Sequence, residues 1–360
     1  MRKQFNLLSL TLFVLFSFAV ASVNAQTVPG TAKPGYQLPN ASFEDWSGPE
    51  FSGEKTMPDW HGSNISQAGQ NVAVVHPSSD AHSGSKSVQL RDTFVGLGSI
   101  GAVSPSWITL GTPWSYLPSI TEVDKATAGT DGGIAFRYRP DAMTVWIKRK
   151  SDGKENIHLV YYSWSKQSVG TKYLGKGGGC TSTDPHYNEE SDIRQEQDGN
   201  TCGTDIFANH IADGEIVTKA QYDKWTQITV PIKYTKNDIP EMMNIILSAS
   251  NYPQGRTNSG MVDGNYMLVD DIQLIYSSKV DVLKLGGEPL YGFNKDKYEY
   301  VVELGDKATA KDIPDVSCER SGRSLQGSEI TIQKASDIGK STIITVKAED
   351  GSSTTTYTVT

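Results

Sequence analysis

Two carboxylates set among apolar residues are the side chains here best placed to do chemistry. Glu44 lies in Leu38-Pro-Asn-Ala-Ser-Phe-Glu-Asp-Trp46, and Asp270 lies in Tyr266-Met-Leu-Val-Asp-Asp-Ile-Gln-Leu-Ile-Tyr276. A lone buried charge is costly unless it is paired or bound to a cation, so the two are expected to meet in the fold. The first stretch reads as an opening strand and the second as a closing one. Glycoside hydrolysis commonly uses two carboxylates flanking the bond, and Glu189, Glu190 and Asp192 are further candidates. Those three fall in an acidic stretch where a solvated surface is the default reading. No Ser-His-Asp arrangement stands out, and His61, His76, His82, His186 and His210 are scattered without metal-ligand spacing.

Sugar binding needs flat rings with a polar edge, which Trp and Tyr supply. By the two-residue period of a strand, Met143, Val145 and Ile147 share one face, and Thr144, Trp146 and Lys148 share the other. Trp146 is therefore on the more polar side. On the strand from Ile157 to Trp164, His158, Val160, Tyr162 and Trp164 lie together, and periodicity leaves open which side meets solvent. Trp146, Tyr162 and Trp164 are the candidate carbohydrate-binding residues, with core packing as the competing role for each. Trp46 and Trp225, next to strand ends, read as structural.

The elements that must position these residues are strands. Lys86 to Arg91, Ser106 to Leu110, Gly133 to Tyr138, Met143 to Lys148, Ile157 to Trp164, Trp225 to Tyr234, Met243 to Ala249 and Tyr266 to Tyr276 are bounded by turn residues and spaced too closely for helices between them. Only Thr218 to Lys224 hints at a short helical turn. Thr171 to Gly214, with Gly177-Gly178-Gly179 and six acidic residues between Asp184 and Asp198, reads as a long decorated loop. Gly96-Leu-Gly-Ser-Ile-Gly101 matches a dinucleotide fingerprint as a string. No βαβ unit surrounds it, and the expected structure is a strand-linking loop. From Val280 onward, Tyr298 to Leu304, Glu329 to Gln333, Ser341 to Ala348 and Thr355 to Thr360 alternate again, with a turn at 349–352.

The first 25 residues carry Arg2 and Lys3, an apolar run from Leu7 to Val20, and Val23-Asn24-Ala25 as a small-residue cleavage site: a secretory signal peptide. The chain is expected to be exported, to the periplasm, cell surface or medium, and not as a lipoprotein, since no cysteine lies near that site. Without those residues, 31 basic side chains face 41 acidic ones, a net charge near −10. Nucleic acid is an unsuitable partner for such a chain, and no further run suits a membrane span. An exported setting permits disulfides. Cys180 and Cys202 are the natural pair, a closure adding about 3 kcal/mol by the chain-entropy model, and Cys318 reads as a structural free thiol.

Asn40-Ala-Ser-Phe-Glu-Asp-Trp46, Pro58-Asp-Trp60, His82-Ser-Gly-Ser-Lys-Ser-Val-Gln-Leu90 and Val269-Asp-Asp-Ile272 come in the order seen in jelly-roll carbohydrate-binding modules. The segment from about 36 to 278 resembles the carbohydrate-metabolism domain of exported polysaccharide-utilisation proteins. Phe136-Arg-Tyr-Arg-Pro140, Thr144-Val-Trp-Ile-Lys148 and Trp225-Thr-Gln-Ile-Thr-Val-Pro-Ile232 add to the likeness. The segment 280–360 resembles the cadherin-like, immunoglobulin-like sandwiches appended to such proteins, in Tyr298, Tyr300, Val302 and the run from Thr345 to Val359. In many related jelly rolls a calcium ion joins the first and last strands. The resemblance thus implies Glu44 and Asp270 as side-chain ligands of a structural calcium, completed by carbonyls near Gly84 to Lys86. The expected chain is all-β: a signal peptide at 1–25, a leader at 26–35, a large jelly-roll sandwich at 36–278 and a small immunoglobulin-like sandwich at 280–360. Its expected role is non-catalytic binding of a polysaccharide or other glycan. The alternatives are a glycoside hydrolase using a carboxylate pair, or a surface structural or adhesin protein. The functional surface is expected away from Glu44 and Asp270.

Overall fold

The computed structural model describes residues 25–67, 69–116, 119, 121, 127–152, 154–165, 172–173, 201–202, 209–250, 261–320 and 329–360. Eight strands build the larger body: β1 (Ser87–Arg91), β2 (Trp107–Thr109), β3 (Ala142–Lys150), β4 (Ile157–Ser165), β5 (Asn209–Thr218), β6 (Tyr222–Pro231), β7 (Met242–Ser248) and β8 (Tyr266–Ile275). They pair antiparallel in two sheets, ordered β6-β3-β8-β1 and β5-β4-β7-β2. Successive strands change sheet at every step except β4 to β5, which is the interleaving of a jelly roll. The expectation of an all-β jelly-roll sandwich holds.

Period-two patterning explains which side chains fill it. Met143, Val145 and Ile147 of β3 meet Ile157, Leu159 and Tyr161 of β4 and Met243, Ile245 and Leu247 of β7 in one core. On β8 the period slips. Met267 and Val269 point inward, then Ile272 and Leu274 do, with the pairing register shifting opposite Thr144 and Trp146. Asp271, at φ 43°, takes up the extra residue of this bulge. Both Asp270 and Asp271 are thereby delivered to the outer side of the first sheet, Asp270 buried beneath residues 82–83.

A second body has its own core of Val280, Leu283, Tyr300, Cys318, Ile344, Val346, Tyr357 and Val359. Its strands are β9 (Val282–Leu285), β10 (Val316–Glu319), β11 (Glu329–Gln333), β12 (Thr342–Lys347) and β13 (Ser353–Val359). The outer edge of β13 is covered by Thr27–Pro29 from the other end of the chain. From there the chain crosses to the jelly roll, where the Gln37 amide bonds both ways with the Leu274 backbone at 2.8 Å. Between the bodies, Arg320 bonds Asp141 and the Ser277 carbonyl, and the Arg139 amide bonds Glu349.

Four readings of local structure are corrected. Residues 38–46 form turns, not an opening strand, because Asn40 and Phe43 take left-handed backbone angles (φ 42° and 52°) closed by the Phe43 amide on the Asn40 carbonyl. The stretch 218–224 is the end of β5, a link at 219–221 and the start of β6, with no helical turn. The end of the expected loop, 209–214, belongs to the ten-residue β5. Residues 93–104, which hold the accidental fingerprint, form a hairpin of Thr93–Leu97 and Ile100–Ser104. Among the described residues no helix is long and apolar enough to cross a membrane.

Candidate functional site

The seam between the chain's early and late segments is built around a strap, residues 79–86, which leads into β1. Glu44 accepts the Ser85 and Lys86 amides at 2.8 and 2.9 Å on Oε1 and the Ser85 hydroxyl at 2.6 Å on Oε2. These donors, the Ser85 hydroxyl foremost, hold its carboxyl below the usual range. Asp270, fully buried, accepts the His82 amide at 2.7 Å and the Ser83 amide at 3.3 Å on Oδ2, and the Asp271 amide at 2.8 Å on Oδ1. Burial dominates there and pushes its carboxyl up to about 6. Gly84 lets the strap pass: at φ +63°, a Cβ would sit 2.3 Å from Glu44 Oε1. Glu44 and Asp270 do grip one loop. The strap aims N–H groups at both acids, where calcium would need an oxygen shell, so these carboxylates do not fit that ion.

The strap also carries the first aromatic cluster. His82 stacks on Trp146 with ring centroids 3.7 Å apart and stands edge-on to Trp225 at 6.1 Å. Its Nδ1 meets Asp271 at 2.6 Å, and Asp80 receives the Lys148 ammonium and the Trp225 indole N–H. One face of the Trp146 ring is thus taken by an imidazole. The seam and this aromatic patch coincide, contrary to the expectation that they lie apart.

Tyr162 and Trp164 are elsewhere. They sit on the other sheet, turned away from the main core, stacked at 5.4 Å among Trp107, Val160 and Ile246, and buried at 0% and 5% exposure. The structure does not bring them to one surface with Trp146. Alternation correctly put them on a common face, but a face covered by a further layer has the same period as one facing solvent. Asn244 ties this layer down, donating to the Tyr162 hydroxyl and accepting from Thr109, Leu110 and Gly111. Beside it, β5 turns Asp213 and Glu215 outward, about 6.6 Å apart along the strand. Asp213 meets His210 Nε2 at 2.8 Å, and Glu215 meets His158 Nδ1 at 3.3 Å.

An open cleft of ≈ 560 Å³ lies at the start of β7, between residues 135–138 and 239–241, with Gly35 on its rim. Ile134–Ala135 pairs with the start of β7, and the Phe136 amide bonds the Glu241 carbonyl at 2.9 Å before the two segments diverge. Phe136 and Tyr138 meet edge to face at 5.3 Å, and Tyr138 stacks on Tyr36 at 3.8 Å. Arg139 turns inward over Tyr234 and binds the Lys236 and Asp238 carbonyls. Arg137 and Glu241 therefore stand exposed at the cleft, with Ile239 45% exposed beside them. Sequence reading quoted Phe136-Arg-Tyr-Arg-Pro140 without seeing a site in it. The signal was the alternation of ring and guanidinium just before a proline.

Cys180, Glu189, Glu190, Asp192 and the signal peptide lie outside the described residues, as does the side chain of Cys202, so the disulfide expected between Cys180 and Cys202 does too. Cys318 is free and buried, which pushes its thiol up.

No family model and no curated protein matches the chain. Among solved structures, it is similar to a candidate glycoside hydrolase from Bacteroides thetaiotaomicron at 15% identity and TM-score 0.41, covering 66% of this chain and 70% of that one. A second candidate glycoside hydrolase, from Bacteroides vulgatus, is 16% identical with TM-score 0.37, covering 56% and 77%. A family 11 carbohydrate-binding module from Clostridium thermocellum, in complex with a β-1,3-1,4-mixed-linked tetrasaccharide, is 11% identical with TM-score 0.26, covering 70% and 97%.

Proposed function

We propose that this chain is an exported glycan-binding protein with no catalytic part in glycan breakdown, and that the cleft at Phe136 and Tyr138 takes the saccharide. The observation that carries this is the cleft's composition. The half-buried Tyr138 and the exposed Ile239 supply an apolar wall over the buried Phe136 ring, while Arg137, Glu241 and the Tyr138 hydroxyl supply polar groups at its edge. Ligand sites are open concavities of this kind, mostly apolar with a few convergent polar groups. Sugars present apolar C–H faces alongside hydroxyls, which suits a ring beside a charged hydrogen-bonding group. A glycan array probed with wild type and Tyr138→Ala tests it. Wild type is expected to select at least one polysaccharide class and the variant to lose the signal. Failure of wild type to bind any plant, host or microbial glycan would overturn the reading.

Asp213 and Glu215 favour a second reading, as a glycoside hydrolase. They stand two residues apart on β5 and so share one face of the strand, as two carboxylates flanking one bond must. Each already holds an imidazole, which leaves less freedom for proton transfer to a glycosidic oxygen. Reducing-end assays across the polysaccharides bound on the array are expected to show no turnover. Turnover abolished by both Asp213→Asn and Glu215→Gln would replace binding by hydrolysis.

A further inference from the structure

The cleft assigned above to a saccharide holds two donors that the protein itself does not use. Arg137 is exposed there, and its guanidinium forms no ion pair and no hydrogen bond among the described residues. The hydroxyl of the next residue, Tyr138, likewise has no hydrogen-bond partner among them. Gly35, on the rim at φ +88°, brings bare backbone to that hydroxyl, since a Cβ there would stand 3.6 Å from it. The charged groups around this pair are committed elsewhere. Arg139 is buried and gives its guanidinium to the Lys236 and Asp238 carbonyls. Glu241, the one acid lining the cleft, has an interaction of its own. On the Gly35 side, Tyr138 stacks on Tyr36, and the Lys33 ammonium lies over that second ring, 5.8 Å from its centre. Lys33 donates to the Glu349 carbonyl at 3.2 Å and pairs with no carboxylate among the described residues. Arg137 precedes one ring of the stack and Lys33 lies over the other, and neither has an anion.

A guanidinium is planar, always charged and weakly hydrated, and its parallel N–H groups match the oxygens of an anion. Its bond to an anionic oxygen is roughly twice as strong as a bond between neutral groups. Free arginine beside a tyrosine hydroxyl therefore selects among sugars by charge before it selects by hydroxyl pattern. We propose, resting on the reading of this cleft as the glycan site, that its ligand is an acidic polysaccharide. The sugar-borne anion, a uronate carboxylate or a sulphate ester, sits on the Arg137 guanidinium, and the Tyr138 hydroxyl bonds the same sugar. The chain's overall negative charge opposes a polyanion at long range. At physiological salt that repulsion is screened beyond about 8 Å, so the cation in direct contact decides.

Isothermal titration at neutral pH and physiological salt, with matched pairs of probes, tests this. The pairs are oligogalacturonate and its methyl ester, oligoalginate and its methyl ester, and a carrageenan oligosaccharide and its desulphated form. Wild type is expected to bind at least one charged form about tenfold tighter than its neutral counterpart, and the pair that shows it tells carboxylate from sulphate. Arg137→Gln is expected to bind both forms of that pair alike, and Arg137→Lys, which keeps the charge but not the fork, to retain part of the preference. Tyr138→Ala is expected to weaken both forms. Wild type that binds saccharides without distinguishing the members of any pair would overturn the inference and leave the glycan cleft standing. A preference that survives in Arg137→Gln would overturn it too, by placing the anion elsewhere. Wild type that binds no saccharide at all would overturn this inference and the cleft reading together.

Discussion

At the scale of single residues, what matters is which group each carboxylate faces. Glu44 and Asp270 hold amides of one strap, and their chemistry diverges: the Ser85 hydroxyl and the strap amides hold Glu44 below the usual carboxylate range, while burial pushes Asp270 up to about 6. The sign of the consequence follows from linkage. In the unfolded chain an aspartate ionises near 3.9, so between about pH 4 and 6 the unfolded state binds fewer protons than the folded one. Stability contributed by Asp270 is therefore complete below pH 4 and lost as pH climbs toward 6. Urea unfolding of wild type and Asp270→Asn across this window, in EDTA, should show a smaller loss with rising pH in the variant. An unchanged slope would contradict the burial argument. That each acid has a partner was legible in the sequence, because a charge among apolar residues demands one. The identity of the partner was not, since amides carry no sequence signature.

At the scale of elements, periodicity located strands well wherever apolar residues alternate. It failed where polar residues occupy strand positions. The outward face of β5 is His210, Asp213 and Glu215, and its inward face includes Gly214, so the segment reads as loop although it pairs with β4 along its length. Residues 38–46 failed in the other direction, apolar enough for a strand but broken by two left-handed turns. The strand at Thr27–Pro29 carries no pattern at all, being exposed throughout. What holds it is the edge of β13 and a close approach at Gly30, whose added Cβ would sit 2.2 Å from the Gly351 carbonyl. The Gly30 amide bonds the Ser352 carbonyl at 2.7 Å in the same place. Gly30→Val should unzip this strand, lowering Tm by a few degrees and speeding amide exchange at Thr354 and Thr356. Unchanged exchange there would show that the strand is not held by this contact.

At the scale of the whole molecule, the all-β jelly-roll class was readable from strand spacing and motif order. Which surface faces a ligand was not. Trp146, Tyr162 and Trp164 are separated by the sandwich itself, one on the outer side of the first sheet and two beneath a covered face of the second. The cleft forms where residues 135–138 part from 239–241, about a hundred positions apart in sequence, and no local pattern records that meeting. The central claim is that this cleft, and neither of those aromatic faces, holds the glycan. Isothermal titration of the best array ligand into wild type, Tyr138→Ala, Arg137→Ala and Trp146→Ala decides it. The account predicts at least a tenfold loss of affinity in the first two variants and little change in the third. Full affinity in Tyr138→Ala and Arg137→Ala, with loss in Trp146→Ala, would contradict it.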